Sequence, residues 1–521
     1  MNKKFNITGT CIPDKHYMVN IDEKLRQIMA MVADGAYFTI HRPRQYGKTT
    51  TLFLLMQRLF AAADYLPLKI SFEGIGTESY ARPELFFEAF VTLMREFFQF
   101  NHLSACADFL ARQPQLRTFQ DLGRLISALC AQTSQKLVLM IDEVDKSSNN
   151  QLFLDFLGLL RAKYLLRSEG QDVTFHSVIL AGVHDVKSLK LKIRPEEERK
   201  YNSPWNIATE FQVDLSFQPA EIATMLTEYA QAEHVTLEIP AFAERLYYYT
   251  SGYPFLVSKL CKLLAEQIAP RPQWELADIE TAVNHLLTES NTNFESLIKN
   301  LENNPDLYDL TYDLLIQGHP KAYNADNPLI HFGLLYGLFR DEHGDVNIHN
   351  RIYEQRIYNY MSSKLETSAS TDAYNFRDNF IDAAGNLDFE QVLLKFQEFM
   401  RQEYSRKDAA FLERHGRLIF LAFLKPIING QGFDFKEVQI SEERRLDVVV
   451  TWLKQRYVVE LKVWRGDAAH QKGLRQLDDY LARLHLNTGY LIVFDGRTPE
   501  RKEWRQEWIA AGDARIFLVT V

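Results

Sequence analysis

Gly47-Lys48-Thr49-Thr50 closes a turn that leads from a strand-like segment into a helix-like one. Ala36-Tyr37-Phe38-Thr39-Ile40 has the aromatic and β-branched make-up of a strand, and Thr51 to Phe60 carries apolar residues at helical spacing. A strand, a tight turn ending in Gly-Lys-Thr and a helix make the context in which free N–H groups at a helix N-terminus face phosphates. The loop candidates are Arg44, Gln45, Tyr46, Gly47, Lys48, Thr49 and Thr50. In a nucleotide site, Lys48 reaches the β/γ-phosphates and the Thr49 hydroxyl holds Mg²⁺. The glycine that usually opens such a loop is missing, and Arg42 stands in its place. The plainer alternative is an ordinary strand-to-helix turn with a capping threonine.

Residues 1–270 alternate strand-like and helix-like stretches, with strands expected at 36–41, 67–72, 136–142, 175–181 and 210–215. That alternation predicts an α/β fold, a parallel sheet with helices on both faces. A helical region follows at 219–297, broken by Ser251-Gly252-Tyr253-Pro254. Residues 298–362 combine short helices with a compact turn at 341–345 and a β arm expected at Val346-Asn347-Ile348, as in a small winged-helix-like module. A polar stretch, 363–386, reads as a linker. The last segment, 387–521, opens with helices, then gives strands at 435–441, 446–452, 456–463 and 489–494 with a helical insert at 467–485. The expected domains are therefore 1–218, 219–297, 298–362, 363–386 and 387–521.

The chain has 521 residues and a net charge of −9, so any nucleic-acid surface must be a local patch. Cys11, Cys106, Cys130 and Cys261 are scattered without a CxxC or His pairing, which argues against a zinc site or a disulfide scaffold. No apolar run approaches the ~18 residues of a membrane span, and Met1-Asn2-Lys3-Lys4-Phe5 lacks a signal-peptide core. The expectation is a cytoplasmic protein with no membrane partner.

A second half of a nucleotide site lies downstream. Lys136-Leu137-Val138-Leu139-Met140-Ile141-Asp142-Glu143 has the form of a buried central strand ending in two acids. Open α/β sheets place ligands at that end of a strand. Asp142 would hold Mg²⁺ through water and Glu143 would polarise the attacking water. With these motifs, residues 10–360 resemble the AAA-like and archaeal-type P-loop ATPases, relatives of the signal-transducing ATPases. In those families the loop commonly reads Arg-Pro-Arg-x-x-Gly-Lys-Ser/Thr, so the absent glycine is a family trait. The resemblance implies a sensor strand at Val178–His184, with His184 or Asp185 reading the γ-phosphate. It also implies a lid motif at Gly252-Tyr253-Pro254, with Pro254 packing on the nucleotide base, a helix-breaking turn being the equally plain reading. Arg194 is a weaker candidate for an arginine finger, a solvated loop charge being its plainer reading.

The C-terminal segment holds a second constellation. Arg445-Leu446-Asp447-Val448-Val449-Val450 turns at 454–456 into Tyr457-Val458-Val459-Glu460-Leu461-Lys462. Residues i and i+2 of a strand share a face, so Glu460 and Lys462 point the same way, towards Asp447. Two carboxylates and a lysine suit phosphodiester hydrolysis with a divalent ion, and oxygen ligands favour Mg²⁺ or Mn²⁺ over zinc. This pattern resembles the PD-(D/E)xK nuclease superfamily, with Asp447, Glu460 and Lys462 at the core positions and Leu446 where the name has proline. Glu413 stands where many members carry a further acidic ligand, and Gln476 where several keep a glutamine. Arg444, Arg445, Lys454, Arg456, Lys462, Arg465, Lys472, Arg475 and Arg483 give local positive charge, diluted by Asp467, Asp478 and Asp479. A surface hairpin bearing a Glu–Lys pair is the bland alternative.

Together the resemblances imply a P-loop NTPase sheet with helical lid and winged-helix-like module, followed by a restriction-endonuclease-like α/β domain. The implied function is an ATPase coupled to a Mg²⁺-dependent nuclease, with ATP and nucleic acid, DNA first, as partners. Related ATPases often assemble, which leaves a homo-oligomer open. The competing readings are a non-cleaving signalling or scaffold ATPase whose C-terminal domain only binds nucleic acid, and an anti-phage or mobile-element effector.

Overall fold

The structure is a computed structural model. It describes every residue except 1–2, 148–149, 184–206, 318–320, 369–379, 383–385, 404–418, 422, 425–426, 429–431, 437–438, 442–443, 446–447, 453–454, 465–466, 485, 496–502 and 513. The chain divides into two compact units, Met1–Leu307 with Ala322–Tyr353, and Tyr308–Lys321 with Glu354–Val521. The stretch 298–362 is thus shared between them.

The first unit is built on four parallel strands, β1 (Tyr37–His41), β2 (Tyr65–Ser71), β3 (Lys136–Asp142) and β4 (Ser177–Gly182), in the order β1-β4-β3-β2. The inner strands β3 and β4 are covered on both faces, which is why they read as unbroken apolar runs. On one face, the helix Pro83–Phe100 sets Phe86, Phe87, Phe90, Met94 and Phe98 against Leu68, Ile70, Leu139 and Leu180. Those five recur at helical spacing, so one stripe enters the core. The helix Phe119–Ala131 starts with a capping box between Thr118 and Asp121.

The strand expected at 210–215 is absent. Phe211, Val213 and Leu215 are buried and alternate with exposed residues, as the sequence pattern implied. Only one parallel bridge forms, between Phe38 and Thr209, with the Thr209 amide donating to the Tyr37 carbonyl. Beyond it, the Val213 carbonyl accepts from the Arg42 guanidinium at 2.8 Å and the Phe211 ring stacks on Phe38. Side-chain burial is satisfied while the ladder is not continued.

Helices Pro219–Glu233, Ile239–Thr250, Pro254–Leu263, Leu276–Thr288 and Thr292–Glu302 follow. Further on, β5 (Phe339–Glu342) and β6 (Asp345–Ile348) pair antiparallel across His343-Gly344, both at positive φ. Two such residues make the turn whose twist matches a two-residue hairpin.

The helix Arg351–Ser368, which belongs to the second unit from Glu354 onward, runs through the first residues of the expected linker. Lys364 stacks on Tyr360 one turn earlier and on Tyr308, which holds the helix beyond 362 despite its polar sequence. The strands here are β7 (Gly432–Lys436), β8 (Gln439–Ser441), β9 (Arg444–Arg445), β10 (Val448–Trp452), β11 (Gln455–Val463), β12 (Thr488–Phe494), β13 (Gln506–Ala511) and β14 (Ala514–Thr520). Six of them make one mixed sheet, β13-β14-β12-β11-β10-β7, and β8 pairs with β9. β11 and β12 are parallel, joined by the helix Asp467–Leu484 as the crossover that parallel pairing requires. Leu474, Leu477, Tyr480 and Leu481 of that helix are buried with Val458, Leu491, Ile516 and Leu518. No helix among the described residues is long and apolar enough to cross a membrane.

Candidate functional site

The C-terminal ends of β1, β3 and β4 meet at the Gly-Lys-Thr turn. His41 is in register with Gly182, and the Arg42 amide donates to the Gly182 carbonyl at 3.1 Å. The loop then turns through two left-handed residues, Gln45 (φ 57°) and Gly47 (φ 80°). Gly47 is the N-cap of the helix Lys48–Ala61 and contributes no side-chain cap. A residue without Cβ takes this conformation at no steric cost and leaves the first-turn amides open to an anion.

Lys48 is buried, and its ammonium donates to the carbonyls of Arg42 and Pro43, both at 2.8 Å. Burial pulls its pKa below the ordinary lysine value, while the charges of Asp145, Glu143 and Asp142, in that order, push the other way. Asp142 ends β3, is 2% exposed, and accepts the Glu143 amide at 3.0 Å. Glu143 is half-buried with φ 56°, an uncommon backbone for a residue other than glycine. Burial first, then Asp142, raises its carboxyl above the usual range. Thr49 is half-buried, and the Thr50 hydroxyl accepts the Cys11 amide at 3.1 Å. The structure therefore brings together Lys48, Asp142 and Glu143 as the sequence spacing implied. It adds Asp145, which was legible only as a third acid in Asp142-Glu143-Val144-Asp145.

The rest of the loop is held by partners that local sequence does not reveal. Arg44 and Gln45 are exposed, yet the Arg44 carbonyl accepts the Tyr253 hydroxyl at 2.5 Å and Gln45 Oε1 accepts Asn293 Nδ2 at 2.9 Å. Tyr46 is buried, and its hydroxyl shares hydrogen bonds with Ser216 at 2.7 Å and His349 at 3.1 Å. Pro254 opens the helix Pro254–Leu263, and its ring lies 4.0 Å from where a Gly47 side chain would begin. The Gly-Tyr-Pro segment thus rests directly on the phosphate loop. Behind the loop a cavity of about 760 Å³ is lined by Arg42, Tyr46, Asp214, Arg340 and His349 among others, and by none of Lys48, Thr49, Asp142 or Glu143. His184, Asp185 and Arg194 lie outside the described residues.

In the second unit, β11 lies between β10 and β12, with Val448 opposite Val459, Glu460 opposite Leu491 and Lys462 opposite Val493. Glu460 is 1% exposed, and the Lys462 ammonium stands 2.5 Å from its Oε1. The helix Asp467–Leu484 passes so close that a Cβ on Gly473 would meet Lys462 Cγ at 3.3 Å. Gln476, half-buried, is one turn further on the same helix. Asp447 and Glu413 lie outside the described residues. Among the described residues no group of three or more His, Cys, Asp or Glu side chains is arranged to hold a metal ion. Of the basic side chains in this region, Arg456 and Arg475 are exposed and Lys462 is paired with Glu460.

Comparison with known proteins places the first part of the chain. An uncharacterized WD repeat-containing protein of Synechocystis sp. is 24% identical over 374 residues, which is 67% of this chain. The chain spans 30% of the length of that curated relative. Among solved structures, the Walker-type ATPase of Pyrococcus abyssi is similar at a TM-score of 0.47 and 12% identity, over 68% of this chain and 99% of that one. The ORC2 protein of Aeropyrum pernix, in ADPNP–ADP complexes, matches at 0.36 and 15%, over 66% and 93%. The RuvB Holliday junction branch migration motor of Thermotoga maritima matches at 0.33 and 12%, over 65% and 94%. The sequence pattern of the family described as an AAA-like domain matches residues 14–358, well over half of the chain. With the phosphate loop and the acid-tipped β3 strand both inside that span, the chain belongs to the AAA-like domain family.

Proposed function

We propose that the chain binds and hydrolyses ATP at the Lys48 loop and that its C-terminal sheet carries a Mg²⁺-dependent nuclease site acting on nucleic acid, DNA first. The observation that supports the ATPase most is the convergence of Lys48, Asp142 and Glu143 at the C-terminal ends of parallel strands, next to an uncapped helix N-terminus. The Arg44–Thr50 amides and the Lys48 ammonium bind the phosphates, replacing the carbonyl contacts that Lys48 makes with Arg42 and Pro43. The donors here are a hydroxyl and a buried carboxylate, hard oxygen ligands that fit Mg²⁺, so Thr49 and Asp142 would hold it. When bound, Mg²⁺ neutralises developing charge on the phosphates. Glu143, whose carboxyl is raised above the usual range by burial and then by Asp142, takes a hydrogen bond from the attacking water and orients it. Arg44, Gln45, Tyr46, Pro254 and His184 belong to the same site in this reading.

The nuclease reading rests on the buried Glu460 and the Lys462 ammonium against it, on an inner strand of a mixed sheet. Their chemistry with Asp447 and Glu413 is that of an oxygen-donor set suited to Mg²⁺ or Mn²⁺, which would polarise the phosphodiester and activate water. Lys462 then stands by the nucleophile or the developing charge, and Gln476 orients the substrate from the crossover helix. Binding of ATP controls the nuclease only if ATP prefers one arrangement of the chain over another.

The test is to incubate the protein with linear, circular and single-stranded DNA and with RNA, in Mg²⁺, with and without ATP. Lys48→Ala and Lys462→Ala are run beside the wild type. Cleavage that Lys462→Ala abolishes supports the nuclease. Retained nucleic-acid binding without cleavage in Mg²⁺ or Mn²⁺ replaces it with the non-cleaving alternative, and unchanged ATP turnover in Lys48→Ala removes the ATPase.

A further inference from the structure

Asp145 occupies the short helical turn Val144–Ser147 that follows the β3 acids, and its carboxylate faces the end of the neighbouring strand. Oδ2 accepts the Val183 amide at 2.5 Å. Oδ1 lies so close to Gly182 that a Cβ there would meet it at 2.8 Å, and would meet Val144 Cγ2 at 2.9 Å. Any side chain at 182 would push the carboxylate away. The same Gly182 accepts the Arg42 amide through its carbonyl, and the Arg42 carbonyl in turn accepts the Lys48 ammonium at 2.8 Å. A continuous path of hydrogen bonds and one backbone close approach therefore leads from Asp145 through β4 to the loop lysine.

We propose that Asp145 is a positioning residue for nucleotide turnover: it holds the end of β4 against Arg42 and so sets where the Lys48 ammonium stands beside Asp142 and Glu143. The inference rests on the nucleotide reading of the site, but it predicts a distinct signature. A small displacement of Lys48 leaves its charge and the loop amides beside the phosphates, so binding changes little, whereas turnover depends on sub-ångström placement of the reacting groups.

The experiment uses the full chain and Mg–ATP. Asp145→Ala should lower kcat about tenfold while the ATP Kd stays within about threefold, and Asp145→Asn, of equal size and with an oxygen acceptor for Val183, should recover most of the rate. Gly182→Ala, which crowds the carboxylate from the other side, should mimic Asp145→Ala. In the nucleotide-free protein, the Val183 amide should exchange its hydrogen faster in Asp145→Ala than in the wild type or Asp145→Asn. If Asp145→Ala does not fold, Gly182→Ala and Asp145→Asn carry the test by the same split between kcat and Kd. Unchanged kcat in Asp145→Ala and Gly182→Ala, with the wild type active, overturns this inference alone. Asp145→Asn as impaired as Asp145→Ala also overturns it, because the charge and not the placement would then matter. A wild type that neither binds nor turns over ATP overturns the nucleotide reading and this inference with it.

Discussion

The hydroxyl of Tyr46 and Nε2 of His349 share a hydrogen bond at 3.1 Å, although 303 positions separate them in the chain. Tyr46 stands two residues before the loop lysine, and His349 directly follows the β5–β6 hairpin. Around this pair, Tyr253 holds the Arg44 carbonyl, Asn293 holds Gln45, and the Tyr353 hydroxyl donates to Asn293 at 2.7 Å. With Ser216 also on the Tyr46 hydroxyl, the phosphate loop is thus fixed by residues from four later segments. A polar cluster of this kind, buried and satisfied, specifies one arrangement of the loop.

His349 gives that arrangement a pH dependence. Burial, helped by the charge of Arg340 and opposed by Asp214, holds its pKa down to about 3 against an ordinary 6.5. Between those values the unfolded chain binds a proton that the folded chain refuses, so stability is full above about 6.5 and falls as pH drops towards 3. Replacing His349 by Gln should flatten this part of the unfolding curve. Urea midpoints at pH 4.5, 5.5 and 7 measure it; equal slopes in variant and wild type would count against the assignment.

Lys48→Ala should remove ligand-induced stabilisation. Saturating Mg–ATP at about a hundred times its Kd stabilises a folded protein by about 2.7 kcal/mol. Thermal unfolding with and without ATP should show that gain in the wild type and almost none in the variant.

Glu143→Gln separates chemistry from folding. Its carboxyl is raised in the folded state, so the folded protein binds more protons than the unfolded one just above the ordinary carboxylate range, and stability falls as pH rises there. A neutral amide does not carry that cost. The variant should unfold at a slightly higher temperature at pH 7 and still bind ATP, with turnover reduced about a hundredfold or more. A drop in stability with normal turnover would contradict both halves.

Lys462→Ala removes the ammonium beside a buried carboxylate. Stability of the C-terminal unit should fall by about 1–3 kcal/mol, the range for stripping a buried polar group of its partner. Lys462→Met with Glu460→Gln should restore much of it, and neither variant should cleave DNA. Denaturant unfolding and a nuclease assay in Mg²⁺ read the two effects separately.

Much of the first unit was legible because its signals are local. The Gly-Lys-Thr turn and the apolar β3 run ending in Asp142-Glu143 each follow from spacing within one element. In the second unit, β10, β11, β12 and the crossover helix were equally plain, while β13 and β14, which follow without a motif to mark them, were not foreseen.

Sequence by itself determined most element types of the first unit, the Glu460–Lys462 pair on one strand, and the family to which residues 14–358 belong. Tertiary structure decided that 209–215 stops at a single bridge, because a buried alternating pattern does not specify whether backbone groups find a ladder or an arginine. It also decided which distant groups, Tyr253, Asn293 and His349, hold the phosphate loop, and that Asp145 reaches β4. Hydrogen bonds between remote segments depend on how the chain packs, and no periodicity in the chain encodes them.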